Sequence, residues 1–167
     1  GILPVLNYKE NEIEFDGINI MTDYKSCARF DSDETKIYNW LTGMGKKSFV
    51  EFEYKNEILN YKISGIKRDV SINKKGDILE VSIFIETEGD VNSFVVETED
   101  KLMDSEMIKE LEEAINNSME DMVGKILGRV QVEVGKDILE LDKELKLFYP
   151  SIWMDVEDNW DNYFQSA

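Results

Sequence analysis

Hydrophobic residues change their period part-way along the chain. From about residue 12 to residue 96 they mostly alternate with polar ones, the rhythm of half-buried strands; from Asp104 onward they recur every three or four residues, the rhythm of a helix. Ile13 and Phe15 alternate with Glu12 and Glu14. The alternation resumes with Ile18 and Ile20 after Asp16-Gly17, so a bulge or bend is expected at Gly17. A second short strand is expected from Tyr24 to Phe30. Asp31, Ser32, Asp33 and Glu34 then offer N-caps and first-turn acids for a short helix through Ile37, Trp40 and Leu41, ended by Thr42-Gly43-Met44-Gly45. Val50, Phe52 and Tyr54 form the next strand, and Lys55-Asn56-Glu57 turns it into a partner carrying Leu59, Tyr61 and Ile63. Val70 and Ile72 face Leu79, Val81, Ile83 and Ile85 across residues 73–77, the clearest hairpin in the sequence. Strands are thus expected over residues 12–21, 47–54, 58–63, 67–72 and 78–86, with a short one at 94–96 inside an acidic link.

In the second half, Asp104 reads as an N-cap. Ile108, Leu111, Ile115, Met119, Met122, Ile126 and Val130 mark one face of a long amphipathic helix, with Glu110, Glu112, Glu113 and Glu120 on other faces. Gly124 and Gly128 inside it read as tolerated weak points rather than a close helix contact. Gly135 should end that helix and Asp137 should cap the next, which runs through Ile138, Leu141, Leu145 and Phe148 until Pro150 breaks it. Ile152, Trp153, Trp160 and Phe164 form an aromatic tail. Strands first and helices afterwards predict a single α+β domain over residues 1–167, a mainly antiparallel sheet covered on one face by the long helix, with shorter helices besides.

Composition narrows the function. The chain has 19 basic and 36 acidic residues, a net charge of −17. Phosphate binding needs a basic footprint, so nucleic acid is not an expected partner, and an anionic lipid face is disfavoured as well. The acidity reads first as a solvated surface. Cys27 is the single cysteine, so no internal disulfide is available. Nothing approaches the roughly 18 apolar residues that a membrane span needs.

Candidate chemistry is thin. The absence of His removes the commonest general base and zinc ligand, and one Cys cannot build a thiolate metal site. Gly43-Met44-Gly45-Lys46 lacks the spacing of a phosphate loop and follows a helix, so it reads as a helix stop. Two acidic runs, Asp31/Asp33/Glu34 and Asp155/Glu157/Asp158/Asp161, lack calcium-loop spacing and read as a cap and a solvated helix face. Trp153 and Trp160 lie two helical turns apart and read as core closure before partner docking. No catalytic residue, cofactor or dedicated metal site is expected; the chain is read as a binding protein.

One stretch of the tail is specific. Asp137-Ile138-Leu139-Glu140-Leu141, then Tyr149-Pro150-Ser151-Ile152-Trp153, then Asn159-Trp160-Asp161 and Phe164 occur in the order found in the Ger(x)C family of spore germination lipoproteins, the C subunits of spore germinant receptors, and the chain resembles their C-terminal domain. Glu14-Phe15-Asp16-Gly17-Ile18 is similar to the family's opening strand, and Asp33-Glu34-Thr35 to its step into a short helix. The family carries small and aromatic residues where this chain has Asn19 and Met21. It also continues into a further strand after the Phe, so the chain is expected to be trimmed there or to lack that strand.

The resemblance implies a non-enzymatic receptor subunit at the inner spore membrane, held by an N-terminal lipid outside this chain and acting with A and B membrane subunits. It implies architectural roles for Asp137 (cap), Pro150 (break), Trp153 and Trp160 (packing). The other expectation is an acidic ligand- or divalent-ion-binding module of an unrelated cell-surface protein.

Overall fold

Four two-residue turns organise the strands. Glu10-Asn11, Asp23-Tyr24 and Lys55-Asn56 have both residues at positive φ, and Gly76 at φ 61° opens the fourth. Such mirror-image turns match the right-handed twist of the strands they join. The structure is a computed structural model that describes residues 1–92 and 105–167. The expected strand at 94–96 and the expected cap Asp104 lie outside the described residues.

The strands are β1 (Ile2–Lys9), β2 (Glu12–Thr22), β3 (Lys25–Phe30), β4 (Ser48–Tyr54), β5 (Glu57–Lys75) and β6 (Ile78–Asn92). They divide into two antiparallel three-stranded sheets, ordered β1-β2-β3 and β4-β5-β6, where one sheet was expected. Nor was β1 expected: it is almost wholly exposed, so its sequence carries no burial rhythm, and Pro4 is tolerated because the strand is an edge.

Residues 58–63 and 67–72, read as two strands, are one. The core-facing set moves from Leu59, Tyr61 and Ile63 to Ile66, Val70 and Ile72, a change of parity that suggests a break. Instead the register shifts between Ile63 and Gly65, and one extra residue restores the inward face without ending the strand. Gly17 does the same in β2, where the register shifts opposite Pro4 and Leu6. Its φ is +108°, and a Cβ built there would lie 2.0 Å from the Phe30 carbonyl oxygen, so only glycine fits.

The helices are α1 (Ser32–Leu41), α2 (Ser105–Arg129), α3 (Leu141–Phe148), α4 (Pro150–Val156) and α5 (Trp160–Ser166), with a π-helical turn at Val130–Val134. A capping box starts α1: the Asp31 side chain accepts from the Glu34 amide at 2.9 Å and Glu34 accepts from the Asp31 amide at 3.0 Å. From there α1 touches β2 and β3 of one sheet and β5 and β6 of the other, burying Ile37, Tyr38, Trp40 and Leu41.

Leu111, Ile115, Met119 and Ile126 of α2 are buried in the same core, with α2 lying along β4. Each such side chain contributes about 1.5–3 kcal/mol. Two side chains cover the β4 edge, Lys36 donating to the Phe49 carbonyl at 3.2 Å and Ser118 to the Glu51 carbonyl at 3.3 Å. Gly124 and Gly128 face open space, so no backbone packs on them. The outer half of the β5–β6 hairpin is covered separately: Ile72 and Leu79 form a second cluster with Leu145 of α3 and Val156 of α4.

Candidate functional site

The residues singled out in the tail converge on one joint. Gly135, at φ 61°, turns the chain out of the π-helical turn. Two residues on, the Asp137 carboxylate accepts from the amides of Leu141 at 3.1 Å and Asp142 at 2.7 Å, the first residues of α3. Asp137 thus covers helix-end donors from four and five residues back, reaching over Glu140, which sits at φ 61°. Trp160, at the start of α5, donates its indole Nε1 to the same carboxylate at 3.3 Å. Tyr38 of α1 donates to the Ile138 carbonyl at 2.9 Å, tying this joint to the main core.

Burial pushes the Asp137 carboxyl above its ordinary value, and the two amide bonds and the indole bond offset only part of that. Burial also pushes the Tyr38 hydroxyl up to about 12, helped by the nearby charges of Glu140 and Asp137.

α3 ends at Phe148, and after the single joint residue Tyr149, Pro150 opens α4. A proline is at home there because a first-turn amide has no helical partner. Trp153 lies on α4 and Trp160 on α5, two helices rather than one, separated by a 3-10 turn at Glu157–Asn159. Their rings still meet edge-on, centroids 5.8 Å apart, and Phe164 continues the stack at 6.0 Å from Trp160. Both indoles are half-buried against the second cluster, and the Lys146 ammonium sits 4.4 Å from the Trp153 ring.

The arginines were not singled out in the sequence, yet each joins separate elements. Arg129, at the end of α2, reaches Glu34 of α1, Glu133 at 2.8 Å, and the Arg29 carbonyl at 3.2 Å, with its guanidinium 5.0 Å from the Phe30 ring. The Glu133 carboxyl is held below its ordinary value by that guanidinium. Arg68 of β5, with little of its side chain exposed, pairs with Glu144 of α3 at 2.7 Å. Arg29 of β3 pairs with Asp16 of β2. The one available signal was scarcity: three arginines in a chain with 36 acids are well placed to be committed to forked pairings.

Among the described residues, no group of three or more His, Cys, Asp or Glu side chains is placed to hold a metal ion. Asp31 and Glu34 serve the α1 cap, Asp33 pairs with Lys36 at 2.8 Å, Asp155 with Lys74 at 3.6 Å, and Asp161 with Lys136. Among the described residues, a groove of about 1090 Å³ lies between β6 and α2. Leu111, Ile115 and Met119 form its apolar floor, and Glu86, Glu112 and Glu120 stand along it. A groove of that make-up can take a chain segment or helix of a partner. No described helix is long and apolar enough to cross a membrane.

Known proteins match this arrangement. The sequence model of the family described as Spore germination B3/GerAC like, C-terminal, matches residues 16–167. The chain is 32% identical to the spore germination protein YndF of Bacillus subtilis (strain 168) over 146 residues, which cover 86% of this chain and 35% of YndF. Its fold superposes on the crystal structure of the GerBC protein with a TM-score of 0.84 at 18% identity, covering 98% of this chain and 51% of that one. The chain therefore spans about a third of YndF and half of the GerBC chain. With the order-preserving tail and the shared α+β architecture, this protein belongs to the GerAC-like C-terminal family of spore germination proteins.

Proposed function

We propose that this chain is a non-enzymatic part of a spore germinant receptor, acting in receptor assembly or in passing on the nutrient signal. Family membership carries this reading. Two features of the chain support it. Helices, hairpin and tail are locked by cross-element pairs at Asp137, Arg68 and Arg129, which suits a body that transmits contacts. The groove between β6 and α2 is apolar at its floor and carries Glu86, Glu112 and Glu120 along it, a surface suited to a partner.

On this reading the partners are the A and B membrane subunits. Attachment to the inner spore membrane runs through an N-terminal lipid outside this chain. Asp137, Pro150, Trp153 and Trp160 act as architecture, and the partner surface is the acidic face of α2 with the adjoining groove. Deleting the gene tests the assignment: spores should lose their response to at least one nutrient germinant and regain it on complementation. Unchanged responses to all nutrients, in a strain whose other receptors are also removed one by one, would refute it.

A further inference from the structure

The β1–β2 hairpin has an apolar face that runs out of the core into solvent. Ile18 and Ile20 of β2 are 6% and 0% exposed, against Pro4 and Ile2 of β1. Beyond the bulge the same face continues through two cross-strand pairs, Leu6 with Phe15 and Tyr8 with Ile13. These four are 58%, 50%, 73% and 70% exposed. Along this outer stretch the opposite face is polar, with Asn7 opposite Glu14 and Lys9 opposite Glu12, although Leu3 nearer the core end of that face is also exposed. A two-stranded hairpin with one apolar face is marginal in water unless that face is covered.

Area and charge decide what covers it. Taking on the order of 150–250 Å² for a fully buried aromatic side chain, the four exposed residues present roughly 500 Å². That falls short of the ~800 Å² each partner contributes to a stable complex of separate chains. It is within reach of an interface between parts of one polypeptide, which totals about 600–1,500 Å². A second copy would bring another net charge of −17 to the contact, which disfavours self-association. The relatives carry much chain outside the matched part, 65% of YndF by difference from the 35% matched. The hairpin itself is common to the structural neighbour, whose match covers 98% of this chain, although the family match starts only at residue 16.

We propose that the face formed by Leu6, Tyr8, Ile13 and Phe15 is the seat of an intramolecular contact, covered in the full-length protein by the region that lies outside residues 1–167. The occupant is an apolar surface of the same polypeptide, and covalent linkage supplies the effective concentration that a small interface needs. This inference rests on family membership and not on the receptor role, so either can fail without the other.

Hydroxyl-radical footprinting of the full-length protein tests it, with Tyr24 as internal reference because that side chain is fully exposed at the β2–β3 turn. Oxidation of Leu6, Tyr8, Ile13 and Phe15 should run at least several-fold below what their exposures predict relative to Tyr24, at every protein concentration. The full-length variant Ile13→Glu should restore oxidation at Tyr8 and Leu6 while Tyr24 is unchanged. Three results would overturn the inference: oxidation in proportion to exposure, protection that grows with concentration and so reports a second copy, or a reading frame that encodes nothing outside residues 1–167.

Discussion

Trp160 Nε1 donates to the Asp137 carboxylate at 3.3 Å across 23 residues of chain, so the last helix is fastened to the group that caps α3. Cap and fastening share one oxygen, Oδ2, which also accepts from the Asp142 amide. Helix start and helix packing are therefore coupled. Asp137→Ala leaves two part-buried amides uncapped and should cost about 1–3 kcal/mol. Trp160→Phe should cost less, and the double variant should fall short of the sum by at least about 0.5 kcal/mol, as expected for residues in one network. Urea melts of the four proteins give the coupling; strict additivity would show that the indole bond contributes nothing.

Because burial holds the Asp137 carboxyl above its ordinary 3.8, the folded state keeps that proton more tightly than the unfolded chain. Its contribution is fully present below 3.8 and is lost as pH rises through the folded value. Glu133, held down by Arg129, contributes with the opposite sign, gaining above its ordinary 4.5 and losing as pH falls. The parent's stability relative to Asp137→Asn should therefore be greatest near pH 4 and shrink toward neutrality. Urea midpoints of both proteins from about pH 4 to 7 check this, and a lead that grows with pH contradicts it.

At Gly17 the prediction is steric. A methyl there meets the Phe30 carbonyl and sits at a φ that side chains avoid, so Gly17→Ala should destabilise by more than about 2 kcal/mol. Gly124→Ala, where a methyl meets open space inside α2, should instead stabilise by up to about 1 kcal/mol. Thermal melts of the pair separate the two cases.

Much of the fold was legible because two signals agreed: alternation marked the strands, and turn or cap residues marked their ends. It failed where the physics left no rhythm. β1 buries almost nothing, so its sequence looks like a loop. The bulge at Ser64 shifts parity within one strand and mimics a boundary. In the tail, Asp137, Pro150, Trp153 and Trp160 were visible as residues. That Trp160 donates to Asp137 was not, because it depends on two short helices folding back on each other. The links made by Arg68 and Arg129 span 76 and 95 residues of chain, beyond the reach of any local pattern.

Five of the seven acids in the two acidic runs, Asp31, Asp33, Glu34, Asp155 and Asp161, are engaged in the α1 cap or in pairs with lysines. Excess chelator should accordingly leave the melting temperature unchanged, and millimolar calcium should raise it by no more than a degree or so, the scale of weak surface binding. A large chelator-induced drop would show that an oxygen-ligand site exists.

On the proposed function, this domain works through a partner surface on α2. That proposal is tested most directly by co-isolating the full-length protein with the proposed A and B membrane subunits from spores, parent against Glu112→Lys/Glu120→Lys. Both glutamates are exposed, so the double variant should keep its stability within about 0.5 kcal/mol per site and accumulate to the parental level. Reversing two charges at a contact should lower co-isolation by about tenfold or more, with nutrient germination falling in step. Normal co-isolation and germination by a folded, fully expressed double variant would contradict the account.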